Sequence, residues 1–248
     1  VRVLLLGAHG YMGPHVVRSL AGRHMLRITD IRPAPDELRN EFPNQEFGIV
    51  DITSADQVRQ VARGMDAIIN LAVVRQDPVL AFRVNMLGCY HVMQAAAEHG
   101  IPRVINSGPH FTLAGPGYEF FDFGIEPDIP PHPGTGLYPL TKSLGQEICR
   151  TLAERYDIQV ITLLFYILRD REELRPGSGG RPFVVSWADC GEAFRLALEI
   201  GRERLPSRCE VFFILGNVPH GKFRVGKAER ILGFRPKEDV SVLWRKPQ

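Results

Sequence analysis

The sequence predicts an α/β protein: a doubly wound parallel sheet with helices on both faces, followed by a small C-terminal substrate-binding part. Three observations carry this. The chain opens on an apolar run, Val1-Arg2-Val3-Leu4-Leu5-Leu6, that suits a strand buried on both faces, and Gly7, Gly10 and Gly13 follow directly at the spacing G-x-x-G-x-x-G. Strand-like and helix-like stretches then alternate as far as Asn106, which calls for parallel strands joined by right-handed helical crossovers. Acidic residues, Asp30 and Asp51, stand at predicted strand ends, the side on which open α/β sheets bind ligands.

The glycine stretch reads as strand, tight turn and helix start. Gly7 allows the turn, Gly10 lets the backbone approach a pyrophosphate, and Gly13 lets a helix from Pro14 to about Ala21 pack close to the strand. Tyr11 and Met12 share this loop, whose N–H groups at a helix N-terminus suit an anion. The arrangement is Rossmann-type and indicates a dinucleotide. Met25 to Asp30 is the second strand, and Asp30, with Ile31 after it, is where a ribose would be read. A carboxylate there accepts hydrogen bonds from a 2′-OH and repels a 2′-phosphate, so NAD is expected; Arg32 keeps NADP open, and a plain loop acid is the alternative reading.

Pro33 to Pro43 is a surface connection with room for one helical turn. Phe47 to Val50 makes a third strand leading into Asp51-Ile52-Thr53, where an adenine could lie, and Ser54 caps a helix from Ala55 to Arg63. Asp66 to Leu71 is the fourth strand. In Asn70-Leu71-Ala72-Val73 the small residues suit either a backbone passing near a cofactor or core packing. Pro78 to His99 repeats apolar residues at helical spacing until Gly100 ends it, and Arg103 to Asn106 is the fifth strand.

From Ser107 to Thr135 the chain turns to Gly, Pro and Phe without periodicity, as a lid or site wall would. It leads into Tyr138 and Lys142 at the start of an amphipathic helix reaching about Tyr156. Residues four apart share one helix face, and an ammonium near a phenol favours the phenolate, so Tyr138 can exchange a proton with a substrate hydroxyl closer to neutral pH. A solvated helical pair is the alternative. Beyond it, Phe183 to Ser186 and Glu210 to Leu215 read as strands, Asp189 to Ile200 and Phe223 to Leu232 as helices. Asp189 is placed to orient a neighbouring loop.

Composition narrows the function classes. The 248 residues suit a single compact unit, divided here into a NAD-binding part, 1–160, and a part, 161–248, holding the last sheet strands and a small substrate region. A net charge of +2 with basic and acidic residues interleaved implies neither nucleic acid nor membrane as partner. The longest apolar run, Val160 to Leu168, is too short to cross a bilayer, and without a signal peptide a cytoplasmic location is expected. Cys89, Cys149, Cys190 and Cys209 show no metal-ligand spacing and read as reduced core thiols.

These motifs, with Asn85, the Asn70-Leu71-Ala72 run and the closing Lys227-Ala228-Glu229-Arg230-Ile231-Leu232-Gly233-Phe234-Arg235-Pro236, resemble the extended short-chain dehydrogenase/reductase family, its NAD-dependent epimerase/dehydratase group. Within it the likeness is to the uronate dehydrogenases, through Arg27-Ile28-Thr29-Asp30-Ile31, Leu137 to Glu147 and Val185-Ser186-Trp187-Ala188-Asp189. The resemblance implies an oxidoreductase using NAD on a hydroxyl or the anomeric carbon of a small sugar or sugar acid. Tyr138 would be general acid/base, Lys142 would hold the nicotinamide ribose, and Ser107 would polarise the reacting C–O group. Cofactor contacts would come from Gly7, Gly10, Tyr11, Met12, Gly13, Asp30, Ile31, Asp51, Ile52, Leu71, Ala72, Val73 and Asn85. The two long helices would pair in a homodimer.

The chain also departs from that pattern. Gly108 stands where the family has a second serine, leaving Ser107 or Thr112 to supply a hydroxyl, and Leu164-Phe165-Tyr166-Ile167 replaces a run with a carboxylate-binding serine. Arg75, Arg175 or Arg181 could hold a substrate carboxylate, or lie on the surface. His110 points into the pocket or is a plain loop histidine, and Gly177-Ser178-Gly179-Gly180 is a flap or a simple turn. Two other functions stay open: a non-catalytic NAD(H)-binding regulator, and a sugar epimerase that retains its NAD.

Overall fold

Leu4, Leu5 and Leu6 offer water nothing on either face of a strand, so the first strand takes the middle of the sheet. In the computed structural model, which describes residues 1–115 and 122–247, β1 (Arg2–Leu6) lies between β2 (Met25–Asp30) and β4 (Ala67–Asn70). With β3 (Glu46–Ile49), β5 (Arg103–Pro109), β6 (Gln159–Phe165) and β9 (Cys209–Phe213), the seven strands run in the order β3-β2-β1-β4-β5-β6-β9. Every pairing is parallel. The chain builds outward on one side of β1 and then on the other, so a crevice opens between β1 and β4 at the carboxyl ends. A two-stranded parallel ribbon, β7 (Ile167–Arg169) and β8 (Val184–Ser186), stands apart.

Helices cover both faces. On one, α1 (Gly13–Leu20) and α7 (Trp187–Glu199) bury Val16, Val17, Leu20 and Phe194 against Leu5, Ile28 and Ile105. On the other, α3 (Ala55–Ala62), α5 (Gly88–His99) and α6 (Leu137–Tyr156) bury Val58, Val92, Met93 and Cys149 against Leu4, Ile68 and Val104. Ser54 accepts a hydrogen bond from Gln57 N to start α3, and Gly100, at φ 65°, ends α5. α2 (Asp36–Glu41) is the turn of helix expected in the proline-rich connection. The expected domain boundary at residue 160 falls inside β6, and β9 completes the sheet from the C-terminal part.

Several segments differ from expectation. β5 runs on to Pro109 because β6 pairs with it from Ser107↔Leu163 to Pro109↔Phe165, so the aperiodic stretch begins later, with a 3-10 turn over His110–Thr112. Its middle, residues 116–121, lies outside the described residues. The helix from Pro78 to His99 is interrupted: α4 (Pro78–Ala81) passes through a π turn, Phe82–Leu87, into α5. The expected helix from Phe223 is shorter, since Phe223 instead bridges Ile125 and the π turn Ala228–Leu232 follows. Gly177 to Gly180 is tied to the C-terminal segment: Gly179 N donates to Leu243 O at 2.9 Å. Among the described residues no helix is long and apolar enough to cross a membrane.

Candidate active site

Two lobes of one cleft occupy the carboxyl ends of β1, β4 and β5, of about 850 and 480 Å³, and share Gly7, Gly10, Leu71, Val73 and Val74. The glycines explain how the chain leaves room for it. Gly7 turns at φ 76°, and a Cβ there would lie 2.6 Å from the Ala72 backbone; one at Gly13 would lie 1.9 Å from Ala8 O. A Cβ at Gly10 would meet only Gly7 O, at 3.6 Å, so this position faces open space. No side chain caps the first turn of α1, which leaves that end to an anion. A dinucleotide's diphosphate fits such a cradle.

The smaller lobe suits an adenosine. Asp30, Ile31, Asp51, Ile52, Leu71, Ala72 and Val73 line it. Asp30 is held in place: its carboxylate accepts from His9 N at 3.0 Å and Arg32 N at 3.3 Å, and the Arg32 side chain lies 3.8 Å away. Arg32 therefore partners the acid, and a 2′-phosphate would meet the carboxylate first. Asp51 accepts from Thr53 N at 2.8 Å. Asn85 was expected at the cofactor but lines neither lobe. It is buried in the π turn, its amide bonded to both Val74 N (2.9 Å) and Val74 O (2.6 Å) and to Thr141 Oγ1 (2.9 Å), so it fixes the loop that walls the cleft.

The larger lobe gathers the side chains able to exchange a proton. Tyr11, Met12, Arg75, Ser107, Tyr138 and Lys142 line it together, as do Pro109, Phe111, Phe165, Tyr166, Ile167 and Leu168. Tyr138 packs edge-on to Phe111, with the Arg75 guanidinium 5.2 Å from its ring centroid. Burial raises the phenol above its ordinary pKa, and the charge and hydrogen bond of Arg75 oppose that rise. Here the expectation changes: the cation acting on the phenol is Arg75. Lys142, one turn on, is buried, which lowers its pKa; the Cys89 and Cys149 thiols oppose that fall and the Arg75 charge adds to it.

The other expected residues divide. Ser107 faces the cleft and donates to Asn70 O at 3.4 Å, while Thr112 is buried with its hydroxyl donated to Pro109 O, which removes it as a substitute. At Gly108 a Cβ would come within 2.5 Å of the Gln146 amide nitrogen, which fills the space of a side chain. His110 does not reach the cleft; it is 0% exposed among Phe183, Tyr166 and Phe223, rings 4.6 to 4.9 Å away. Arg181 lies over Tyr166, 5.7 Å from its centroid, but lines neither lobe, and Arg175 bonds Glu172 O at the surface. Phe111, Tyr166, Gln76 and Asp77 are wall residues that the sequence reading missed. The break from the uronate dehydrogenase pattern at Leu164–Ile167 was the one signal for Tyr166.

Comparisons with known proteins agree with this geometry. A model of the NAD dependent epimerase/dehydratase family matches residues 3–167. The NAD-dependent glucose-6-phosphate dehydrogenase of Haloferax volcanii is 23% identical over 96% of this chain and 93% of its own. The uronate dehydrogenase of Pseudomonas putida is 28% identical over 65% of this chain, and the match spans 59% of that protein. Among solved structures, uronate dehydrogenase from Agrobacterium tumefaciens complexed with NAD has a TM-score of 0.77 at 21% identity, covering 96% of this chain and 84% of that one. UDP-glucose 4-epimerase from Thermotoga maritima, with UDP-glucose, also has 0.77, at 17% identity and coverage of 98% and 97%.

Proposed function

Because the chain belongs to the NAD dependent epimerase/dehydratase family, we propose that it is an NAD-dependent oxidoreductase acting on a hydroxyl or the anomeric carbon of a small sugar or sugar acid. The observation that carries this reading is that Tyr138 and Lys142 line the same lobe as Gly7 and Gly10, putting a proton-transfer group next to a dinucleotide cradle. The glycine loop would take the diphosphate, Asp30 the adenosine ribose, and Lys142 the nicotinamide ribose. NAD supplies a hydride acceptor for the substrate carbon. Tyr138 Oη, once deprotonated, would take the substrate hydroxyl proton as the hydride leaves the same carbon, so the carbonyl would form with charge balanced. Ser107 Oγ would steady the reacting oxygen. The curated relatives' names, a glucose-6-phosphate dehydrogenase and uronate dehydrogenases, support a sugar or sugar acid as substrate.

NADH formation with a panel of uronates and aldoses tests this. Tyr138→Phe should lower turnover by about 10²–10⁴-fold, the range for general acid–base catalysis, while NAD still binds. Cofactor binding without turnover on any substrate would leave the second reading, a non-catalytic NAD(H)-binding regulator, which Gly108 in place of a hydroxyl favours. NAD copurifying with the protein would favour a sugar epimerase instead. The reading includes a cytoplasmic location and a homodimer, the dimer supported by Val79 on α4, Phe82 in the π turn, Tyr90 on α5 and Leu144 on α6, which stay exposed; sedimentation as a monomer would count against the dimer.

A further inference from the structure

Arg75 is a charge in the cleft that the mechanism above does not use. Two cations line the larger lobe, Arg75 and Lys142. Lys142 is 4% exposed, whereas Arg75 is solvent-accessible at the mouth. The backbone beneath it is fixed, since Asn85 bonds both polar groups of Val74, but its own side chain is long and free to turn. Its guanidinium lies over the Tyr138 ring, 5.2 Å from the centroid. The opposite wall, Pro109, Phe111, Phe165, Ile167 and Leu168, carries no charge. Arg75 is thus the exposed cation open to an anionic group in the lobe, with the Asp77 carboxylate two residues on along the same loop.

A guanidinium has five N–H donors in a rigid fork that matches a carboxylate. We propose that Arg75 is a shared cation: packed over the Tyr138 ring in this structure, it turns its fork to the carboxylate of an acidic sugar, and so selects sugar acids over neutral sugars. The substrate class rests on the oxidoreductase reading; the pairing of Arg75 with the phenol does not. The other charged or titratable groups lining the lobe with Tyr138 are Tyr11, Asp77, Lys142 and Tyr166. When a carboxylate draws Arg75 away, the phenol loses cationic support and holds its proton to higher pH.

Two measurements test this. In the first, tyrosinate absorbance of NAD-loaded protein is titrated against pH, with Tyr138→Phe subtracted to isolate this phenol. Saturating D-glucuronate should move the midpoint upward, D-glucose should not, and in Arg75→Gln the midpoint should start higher and ignore glucuronate. In the second, Arg75→Gln should cost glucuronate about tenfold or more in kcat/KM beyond what it costs glucose, the scale of a lost charge-assisted hydrogen bond, and Arg75→Lys should recover part of that. Equal losses on both sugars, or a titration that glucuronate leaves unmoved, would overturn the proposal. If neither sugar is turned over but the titration behaves as stated, the oxidoreductase reading falls and Arg75 keeps its role.

Discussion

Gly10 and Gly13 differ by one loop turn and in what an added methyl would touch. At Gly13 the methyl would lie 1.9 Å from Ala8 O, backbone against backbone, so α1 would have to lift off the sheet. Gly13→Ala should therefore lower stability by about 3 kcal/mol or more, seen as a large fall in melting temperature. At Gly10 the methyl meets Gly7 O alone, at an ordinary 3.6 Å, and otherwise points into the cleft. Gly10→Ala should melt close to wild type yet bind NAD about tenfold or more weakly, since a displaced diphosphate loses charge-assisted bonds; unchanged affinity in an NAD titration would place the diphosphate elsewhere. The crowding at Gly13 and the open space at Gly10 were legible because backbone geometry is local. His110 was not: its destination depends on Phe183 and Phe223, 73 and 113 residues further on, packing around it.

Elements were legible to within a residue or so where capping and periodicity are local, as at Ser54, Gly100 and the strand Met25–Asp30. They were misjudged where a partner decides. β5 gained Ser107–Pro109 from pairing with β6, and the π turn at Phe82–Leu87 hides inside a sequence that reads as continuous helix. That turn matters because it carries Asn85, whose amide holds the Val74 backbone on both sides and Thr141 of α6. It thereby sets the loop bearing Arg75 against the helix bearing Tyr138. Asn85→Ala would leave the part-buried Val74 N–H and C=O without their partner, at a cost of about 1–3 kcal/mol. The melting temperature should fall, and KM for a bound sugar should rise more than affinity for NAD falls, because Asp30 and Asp51 in the smaller lobe are held by His9 N, Arg32 N and Thr53 N and not by Asn85. Equal losses in both would mean the residue serves the whole cleft. Asp189 acts in the same way elsewhere, accepting from Lys237 N at 2.9 Å and Glu238 N at 3.3 Å, an orienting role the sequence did suggest.

For the whole molecule, the crevice matters because it lies where the two directions of sheet growth diverge. Its walls come from β1 and β2 on one side and from β4, β5 and α6 on the other, so a dinucleotide lying in it would touch both halves of the fold. A ligand that binds the folded chain and not the unfolded one stabilises it by mass action: about 2.7 kcal/mol at a concentration of 100 times Kd. For a chain of this size that corresponds to a rise of roughly 5–10 °C in melting temperature. NAD should produce that shift, and Tyr138→Phe should keep it, because the phenol acts on the substrate and not on the diphosphate or adenosine. NADP should shift the melt far less: its 2′-phosphate would face Asp30, a carboxylate 7% exposed, already bonded by His9 N and Arg32 N and so unable to turn aside. Arg32 does not relieve this, since its own side chain lies 3.8 Å from the same carboxylate. Equal shifts from the two cofactors would mean that Arg32 leaves Asp30 to take the phosphate, and cofactor choice would then rest with the arginine; a shift from NAD alone gives it to the acid.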